Sequence, residues 1–562
     1  MKDVEKITRD TQAEIRGVGG PWEITSEEVL GEECIVFKNR HRNIGEMLKA
    51  NTSQWSEREC LVLGHIRISY RELQDRIEST AYRFQSTYGI KSGDRVAILA
   101  ANCPEWVISF FAATHIGAIV SALNGWWTET EIGHAIELTD PSVIVGDTRR
   151  LARAGSLLKK FPVIDIEETP DFFEPTGESP PEILIDEDDP ALILFTSGTT
   201  GKSKGALLSH RSLIGFVDGT IHNGYEKKLI ALKVLDIDPS TLPSTQEIVL
   251  ATSPLFHISG LPAGVLMNMA NGAKIIFRSG RFDPADVLRL IEEEKITNWT
   301  AIGDMGPRVM THNDFQTRDT SSLTRVSSGG AHLSENMKQL IADHFPQAAG
   351  AIGQGYGSSE SCGVITSIGG QDFIDHPSAA GRACLGYDIE IRDSENNPLP
   401  AGEEGEIHVK SAYSMLKYWE NAQATAETIK TGRWLAMGDI GKMVDGRLYI
   451  NSRARDMIIK SGENIYPVEI EHRLESHPDI HEVAILGVDH LQKGQEVKAV
   501  VVLTPNGKFE TDVFIEWCKK TLAGYKIPDH WEHRIEPLPR TASGKVIKGG
   551  LTGDREVSNY ED

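Results

Sequence analysis

The chain has 562 residues, too many for a single hydrophobic core, and its 40% hydrophobic and 25% charged residues are the balance of an ordinary globular protein of at least two domains. Its 58 basic and 81 acidic side chains leave a formal charge of −23, which excludes broad binding to nucleic acid or to an anionic membrane; a polyanionic ligand would have to meet a local positive site. The six cysteines, Cys34, Cys60, Cys103, Cys362, Cys384 and Cys518, form no CxxC pair and no cysteine–histidine cluster, so neither structural zinc nor a disulfide framework is expected, and a reducing, cytoplasmic compartment fits best.

The N-terminal stretch "MKDVEKITRDTQ" is charged from its second residue and lacks the apolar centre of a signal peptide, and no apolar run reaches the ~18 residues of a membrane span. Residues 1–42 are an N-terminal extension without a clear structural signal. From about Asn43 to Pro190, helical stretches such as "YRELQDRIESTAYRFQ" alternate with short β-rich runs such as "DRVAILA" and "PSVIVGD", the pattern of parallel βαβ units. Then "ALILFTSGTTGKSKGALLSH", Ala191 to His210, runs a buried strand into a loop of hydroxyls, glycines and lysines. Backbone N–H groups, short hydroxyls and a mobile positive charge are what phosphate oxygens need. A Walker A loop would require glycine where Thr196 stands, and "GQGYGSSE" carries Ser358 where a dinucleotide fingerprint needs its third glycine; neither motif is present.

The βαβ alternation resumes with "AKIIF", "PADVLRLIEEEKIT" and "NWTAIG". After about Ser378, "GYDIEIRDSENNPLPAGEEGEIHVK" suggests antiparallel strands joined by turns of Asn, Pro and Gly. Beyond "DGRLYINSRARDM", short strands interleave with helices, one opening at Pro467 and another ending before Gly524. The expected fold is α/β, with a large multi-subdomain N-terminal domain over residues 1–452 that combines parallel α/β sheets with a small β-barrel-like portion. A small, mobile α+β domain over residues 453–562 completes it.

"FTSGTTGKSKG" resembles the phosphate-binding signature of the adenylate-forming superfamily, which includes acyl- and aryl-CoA synthetases, amino-acid adenylation domains and beetle luciferases. Further motifs follow in the family's order: "SPLFHISG", "SSGGAHLSE", "GQGYGSSE", "LPAGEEGEI", "GRWLAMGDIG", "SRARDMIIKSGENIYPVEIE" and "LPRTASGKVIK", together covering roughly residues 43–550. The resemblance implies activation of a carboxylate by ATP as an acyl-adenylate with loss of pyrophosphate, then transfer to a thiol. Carboxylate and triphosphate are both anionic, so catalysis must neutralise and align them. By position in these motifs, Lys204 with Thr196, Ser197, Gly198, Thr199, Thr200 and Gly201 would cradle phosphate, and Glu360 would hold Mg2+ through oxygen. Gly329, Gly330 and Ala331 with Gly355, Tyr356, Gly357, Ser358 and Ser359 would receive adenosine, Asp439 the ribose hydroxyls, and Arg453 would lie near the nucleotide. The family threonine before the metal ligand is Ser359 here, and the one before the ribose aspartate is Met437.

The same resemblance assigns Lys545 of "TASGK" as the cation that bridges the acyl carboxylate and the α-phosphate, and counts His257 with the catalytic set. Lys460, Ser461, Gly462 and Glu463 would line the pantetheine path of coenzyme A, and Arg455 would be the hinge about which the small domain rotates. Amino-acid adenylation for a separate carrier protein would call for an acidic residue after Phe256, where His257 stands, and no carrier domain is expected after Asp562. The luciferase lysine is replaced by Ile459. That leaves thioester formation with coenzyme A on a largely apolar acid, fatty, aryl or cyclic. Amino-acid or aryl-acid adenylation for a separate carrier protein, and a non-catalytic relative that merely binds an acyl-nucleotide, remain alternatives. Monomer and homodimer are both compatible with the sequence.

Overall fold

The computed structural model describes residues 3–196, 202–242, 245–302, 305–329, 335–453, 456–460, 463–490, 493–541 and 546–551. Two largely parallel sheets form the body of the molecule. The first runs Lys417–Tyr418, Lys204–Ser209, Pro190–Thr196, Ile119–Ala122, Arg95–Leu99, Val143–Gly146, Val163–Asp165. The second runs Arg325–Gly329, Asn298–Ile302, Ile248–Leu250, Lys274–Phe277, Glu59–Leu63, Ile66–Ser69. The helix Pro104–His115, "PEWVISFFAATH", has no polar stripe because it is buried at Pro104 and from Trp106 to Thr114. Trp106, Phe110 and Phe111 share one core with Val96 and Val120 of the first sheet and Leu61 and Phe277 of the second. Local signals set the helix starts: Ser69 caps Tyr70–Tyr88, Thr128 and Glu131 form a capping box, and Pro284 opens Pro284–Glu294.

The glycine-rich segment joins Pro190–Thr196 to Lys204–Ser209 as an antiparallel pair in which Lys204 faces Thr196. The phosphate loop expected from the sequence is thus the turn of a hairpin, and a helix starts only at His210. Its tip, residues 197–201, lies outside the described residues.

A third, antiparallel sheet runs Gly353–Ser358, Gly363–Gly369, Ala379–Ala383, Arg447–Arg453, Leu435–Val444, Gly405–Lys410, Asp388–Arg392. It begins about 25 residues before the texture change near Ser378, since "GQGYGS" pairs as a strand without any hydrophobic alternation. Three strands separate Gly353–Ser358 from Leu435–Val444. That would be roughly 19 Å in a flat sheet, yet Tyr356 Oη donates to Asp439 Oδ2 at 2.5 Å. The sheet is therefore rolled, which is the barrel-like portion.

Residues 458–551 build a smaller α+β body around the antiparallel pair Ile480–His490 and Gly494–Leu503. Ile470 and Leu474 of helix Pro467–Glu475 and Phe514 of helix Thr511–Lys519 fill its core. The helix Pro467–Glu475 also touches strand Arg447–Arg453 of the rolled sheet. No described helix is long and apolar enough to cross a membrane.

The N-terminal extension folds onto the body. Helix Val4–Arg16 is capped by Asp3, and Ile24–Val29 pairs with Glu32–Phe37 across a tight turn in which Leu30 and Gly31 have φ of 51° and 86°. Its last residues enter a buried ion cluster: Arg40 donates to Glu27 at 2.6 Å, to both oxygens of Glu187 at 2.9 Å, and to the Phe37 carbonyl at 2.6 Å. Arg211 adds contacts of 2.8 Å to Glu187 and 2.7 Å to Asp188. Glu187 and Asp188 lead directly into the strand that delivers the glycine loop.

Candidate active site

Parallel strands end on one side of their sheets, and ligands of open α/β sheets bind in the crevice outside those carboxyl ends. Thr196 ends one such strand, Gly329 ends another, and His257 follows a third. One polar staple crosses between the two sheets: Asn102, after strand Arg95–Leu99 of the first sheet, donates to the Ser253 carbonyl at 2.7 Å and accepts the Leu255 N–H at 3.0 Å. It thereby holds the "SPLFH" loop of the second sheet. In that loop the His257 ring packs on Phe256 with centroids 4.7 Å apart, and Trp126 meets Phe256 edge-on at 5.3 Å.

Glu360 sits in a turn that is pinned on both sides. Ser358 and Ser361 exchange hydrogen bonds, the Ser361 hydroxyl accepting from Ser358 N–H at 2.9 Å and the Ser358 hydroxyl accepting from Ser361 N–H at 3.3 Å. Cys362 N–H donates to the Ser359 carbonyl at 3.1 Å, and Met415 N–H to the Glu360 carbonyl at 2.8 Å. The side chain has a partner that motif reading missed: Tyr418 Oη donates to Glu360 Oε1 at 2.8 Å. Burial, reinforced by Glu360, raises the Tyr418 hydroxyl far above the ordinary phenol range, so it stays a donor. Lys204 Nζ lies over the Tyr418 ring, 5.1 Å from its centroid. Tyr418 itself is held by pairing with Ala206, on the strand that starts at Lys204. One aromatic residue thus links the phosphate-loop lysine to the carboxylate, and no spacing in the sequence marks it.

A magnesium ion bound chiefly by phosphate oxygens needs only one or two protein carboxylates. Among the described residues no group of three or more His, Cys, Asp or Glu forms a metal cage, and Glu360 is a single carboxylate of the kind such an ion would take. The donor set fits a phosphate-borne Mg2+.

Tyr356 and Asp439 are brought together by the roll of the third sheet, and Asp439 faces Arg453 in the strand register. Only the backbone of Arg453 and of Glu463 is described. Gly357 serves the sheet: a Cβ there would lie 1.6 Å from the Gly363 carbonyl oxygen, and one at Gly355 would lie 2.8 Å from Val364. Lys460 is buried with its ammonium on both oxygens of Asp529, at 2.7 and 2.6 Å, so it fixes its own loop instead of offering a free charge. Ser197, Gly198, Thr199, Thr200, Gly201, Gly330, Ala331, Arg455, Ser461, Gly462 and Lys545 lie outside the described residues.

Comparison with known proteins identifies the family. The family model of the AMP-binding enzyme matches residues 48–419, and that of the AMP-binding enzyme C-terminal domain matches residues 469–545. A feruloyl-CoA synthase of Amycolatopsis sp. is 30% identical over 86% of this chain and 94% of its own length. A long-chain-fatty-acid–CoA ligase of Escherichia coli is 27% identical over 91% of this chain and 94% of its own. The o-succinylbenzoate CoA synthetase of Bacillus subtilis, solved with its acyl-adenylate intermediate, superposes with a TM-score of 0.74 at 25% identity over 92% of this chain and all of its own. A chain with this fold, these motifs in order and matches to both family models belongs to the AMP-binding enzyme family, in its acyl-CoA synthetase branch.

Proposed function

We propose that the protein joins a largely apolar carboxylic acid to coenzyme A through an acyl-adenylate, releasing AMP and pyrophosphate. The observation that carries the reading is the charge pattern around the aromatic ledge. The stretch "IVLATSPLFHISGLPAGVLMNM", residues 248–269, contains no Asp, Glu, Lys or Arg, and Glu360 is the sole charged residue of "GQGYGSSESCGVITSIGG", residues 353–370. A substrate ammonium or second carboxylate would be left there without a counter-charge, which is costly. The same stretch is rich in apolar and small residues, which suits a largely apolar acid, whether fatty, aryl or cyclic. The names of the feruloyl-CoA and long-chain relatives support both classes.

In this mechanism the substrate carboxylate oxygen attacks the α-phosphorus of ATP and pyrophosphate leaves. Lys204, Thr196 and the loop between them meet the charge of the departing phosphates, while Lys545 bridges carboxylate and α-phosphate. Mg2+, when bound, spreads the phosphate charge; Glu360 holds it and Tyr418 orients Glu360. Tyr356 and Asp439 place the adenosine. The coenzyme A thiol then releases its proton to solvent, its sulfur attacks the acyl carbon, and the acyl–phosphate bond breaks so that AMP leaves with its phosphate. The six scattered cysteines suit a reducing, cytoplasmic setting.

A pyrophosphate-release screen across fatty, aryl and cyclic acids, run with and without coenzyme A, tests the reading. Release should depend on the acid, and thioester should form in step with AMP. Exchange with amino acids but with none of the apolar acids would replace the reading by carrier-protein adenylation, and no exchange with any acid would replace it by a binding relative. Glu360→Gln keeps the shape and removes the charge. Adenylation should weaken and the magnesium concentration for half-maximal rate should rise; an unchanged titration removes Glu360 from the metal site.

A further inference from the structure

Tyr418 lies on a short segment that is tied by main-chain bonds to two parts of the site far apart in the sequence. Leu416 N–H donates to the Leu207 carbonyl at 2.8 Å and Trp419 N–H to the Gly205 carbonyl at 2.7 Å, on the strand that starts at Lys204. Met415 N–H donates to the Glu360 carbonyl at 2.8 Å, and the Met415 carbonyl is itself held by Arg433 Nη2 at 2.9 Å. Tyr418 N–H donates to the Thr425 hydroxyl at 3.0 Å. Trp419 Nε1 donates to the Leu138 carbonyl at 3.2 Å. The backbone of Tyr418 is thus fixed against both the phosphate hairpin and the turn that carries Glu360.

Its side chain is 6% exposed, with Lys204 Nζ over one face of the ring at 5.1 Å from the centroid. The phenol gives its one proton to Glu360 Oε1 at 2.8 Å, and among the described residues no hydrogen bond reaches the other oxygen of Glu360. Phenylalanine would fill nearly the same volume, so packing calls for the ring and not for the hydroxyl. What the hydroxyl adds is a fixed rotation for a carboxylate whose terminal torsion is otherwise broad. A magnesium ion demands near-ideal octahedral placement of its oxygen ligands. Hydrogen bonds that orient a ligating carboxylate are accordingly worth about 10- to 100-fold in metal affinity.

We propose that Tyr418 is the positioning residue that makes nucleotide binding depend on magnesium: its hydroxyl turns Glu360 so that one oxygen is presented to the metal of Mg·ATP, and its pairing with the Lys204 strand holds that carboxylate in register with the phosphate-binding lysine. The proposal rests on the reading of Glu360 given above.

The test uses the full chain with Tyr418→Phe, Glu360→Gln and the double variant. Calorimetry measures binding of α,β-methylene-ATP, which cannot release pyrophosphate, once in EDTA and once with saturating magnesium. In Tyr418→Phe, binding with magnesium should weaken by about 10-fold or more, while binding in EDTA stays within about twofold of wild type. In the Glu360→Gln background the same substitution should cost almost nothing further, since a group acting through Glu360 has no carboxylate left to turn. A merely structural hydroxyl would act alike in both conditions, so equal losses with and without magnesium in Tyr418→Phe would overturn the proposal, as would equal losses in both backgrounds. If Glu360→Gln itself keeps the full gain from magnesium, the reading of Glu360 as the metal ligand fails and the role of Tyr418 falls with it. If that variant loses the gain and Tyr418→Phe keeps it, only the role of Tyr418 falls.

Discussion

Arg40→Met should destabilise the protein by roughly 3 kcal/mol, the lower end of what breaking a buried ion pair costs. The Arg40 side chain is 1% exposed and holds Glu27, Glu187 and the Phe37 carbonyl at once. Methionine fills much of the volume but leaves those carboxylates with fewer partners. The loss stays at the lower end because Arg211 and Arg42 continue to serve Glu187. The hydrogen bond from Arg40 holds the Glu27 carboxyl below its ordinary value. A depressed carboxyl contributes stability above its unfolded pKa and loses it as pH falls through the folded one. Wild type should therefore lose more stability than Arg40→Met between about pH 5 and pH 3, and the gap between them should narrow in acid. Thermal unfolding at pH 7.5 and at pH 4 measures both effects. An unchanged melting temperature at neutral pH would mean that the N-terminal hairpin does not brace the strand leading to the phosphate loop.

That brace was invisible in the sequence for a definable reason. The hairpin turns through Leu30 at φ 51°, where an L side chain is strained and where Asn or Gly would have announced the turn. The parallel strands were legible because runs such as Val143–Gly146 are buried on both faces and need no polar alternation. Strand Gly353–Ser358 was not, since its pairing is set by close approach at glycine, with only 1.6 Å between a Cβ at Gly357 and the Gly363 carbonyl. Motifs placed Glu360 and Lys204, but each was read singly. Their common partner Tyr418 comes from a two-residue strand that only the folded sheet brings alongside. Lys460 shows the converse: the motif located it near a substrate path, while the neutralising Asp529 stands far along the chain and pairs with it only after folding.

Lys545→Ala should lower acyl-adenylate formation by about 10² to 10³-fold, equivalent to roughly 2.7 to 4 kcal/mol, the usual cost of removing one donor that acts on developing charge. On the proposed reading, lysine at this point is needed only while the acyl carboxylate approaches the α-phosphate, two anions that repel until a cation lies between them. On the same reading, once the adenylate exists the thiol attacks the carbonyl carbon, and that step would call for the pantetheine path proposed near residues 460–463 instead. Both segments would belong to the proposed C-terminal domain and both would have to address the same acyl carbon, so on this reading one placement of that domain does not serve the two steps equally. Transfer from supplied adenylate to coenzyme A should then be nearly unaffected in Lys545→Ala. Arg455→Pro supplies the reciprocal case: fixing φ near roughly −65° at the expected hinge restricts rotation, so adenylation should survive while thioester formation is mostly lost. Stopped-flow assay of each half-reaction on both variants separates the roles. Equal loss of both steps in Lys545→Ala would refute its assignment to adenylation, and a folded Arg455→Pro variant that makes thioester at the wild-type rate would place the pivot elsewhere.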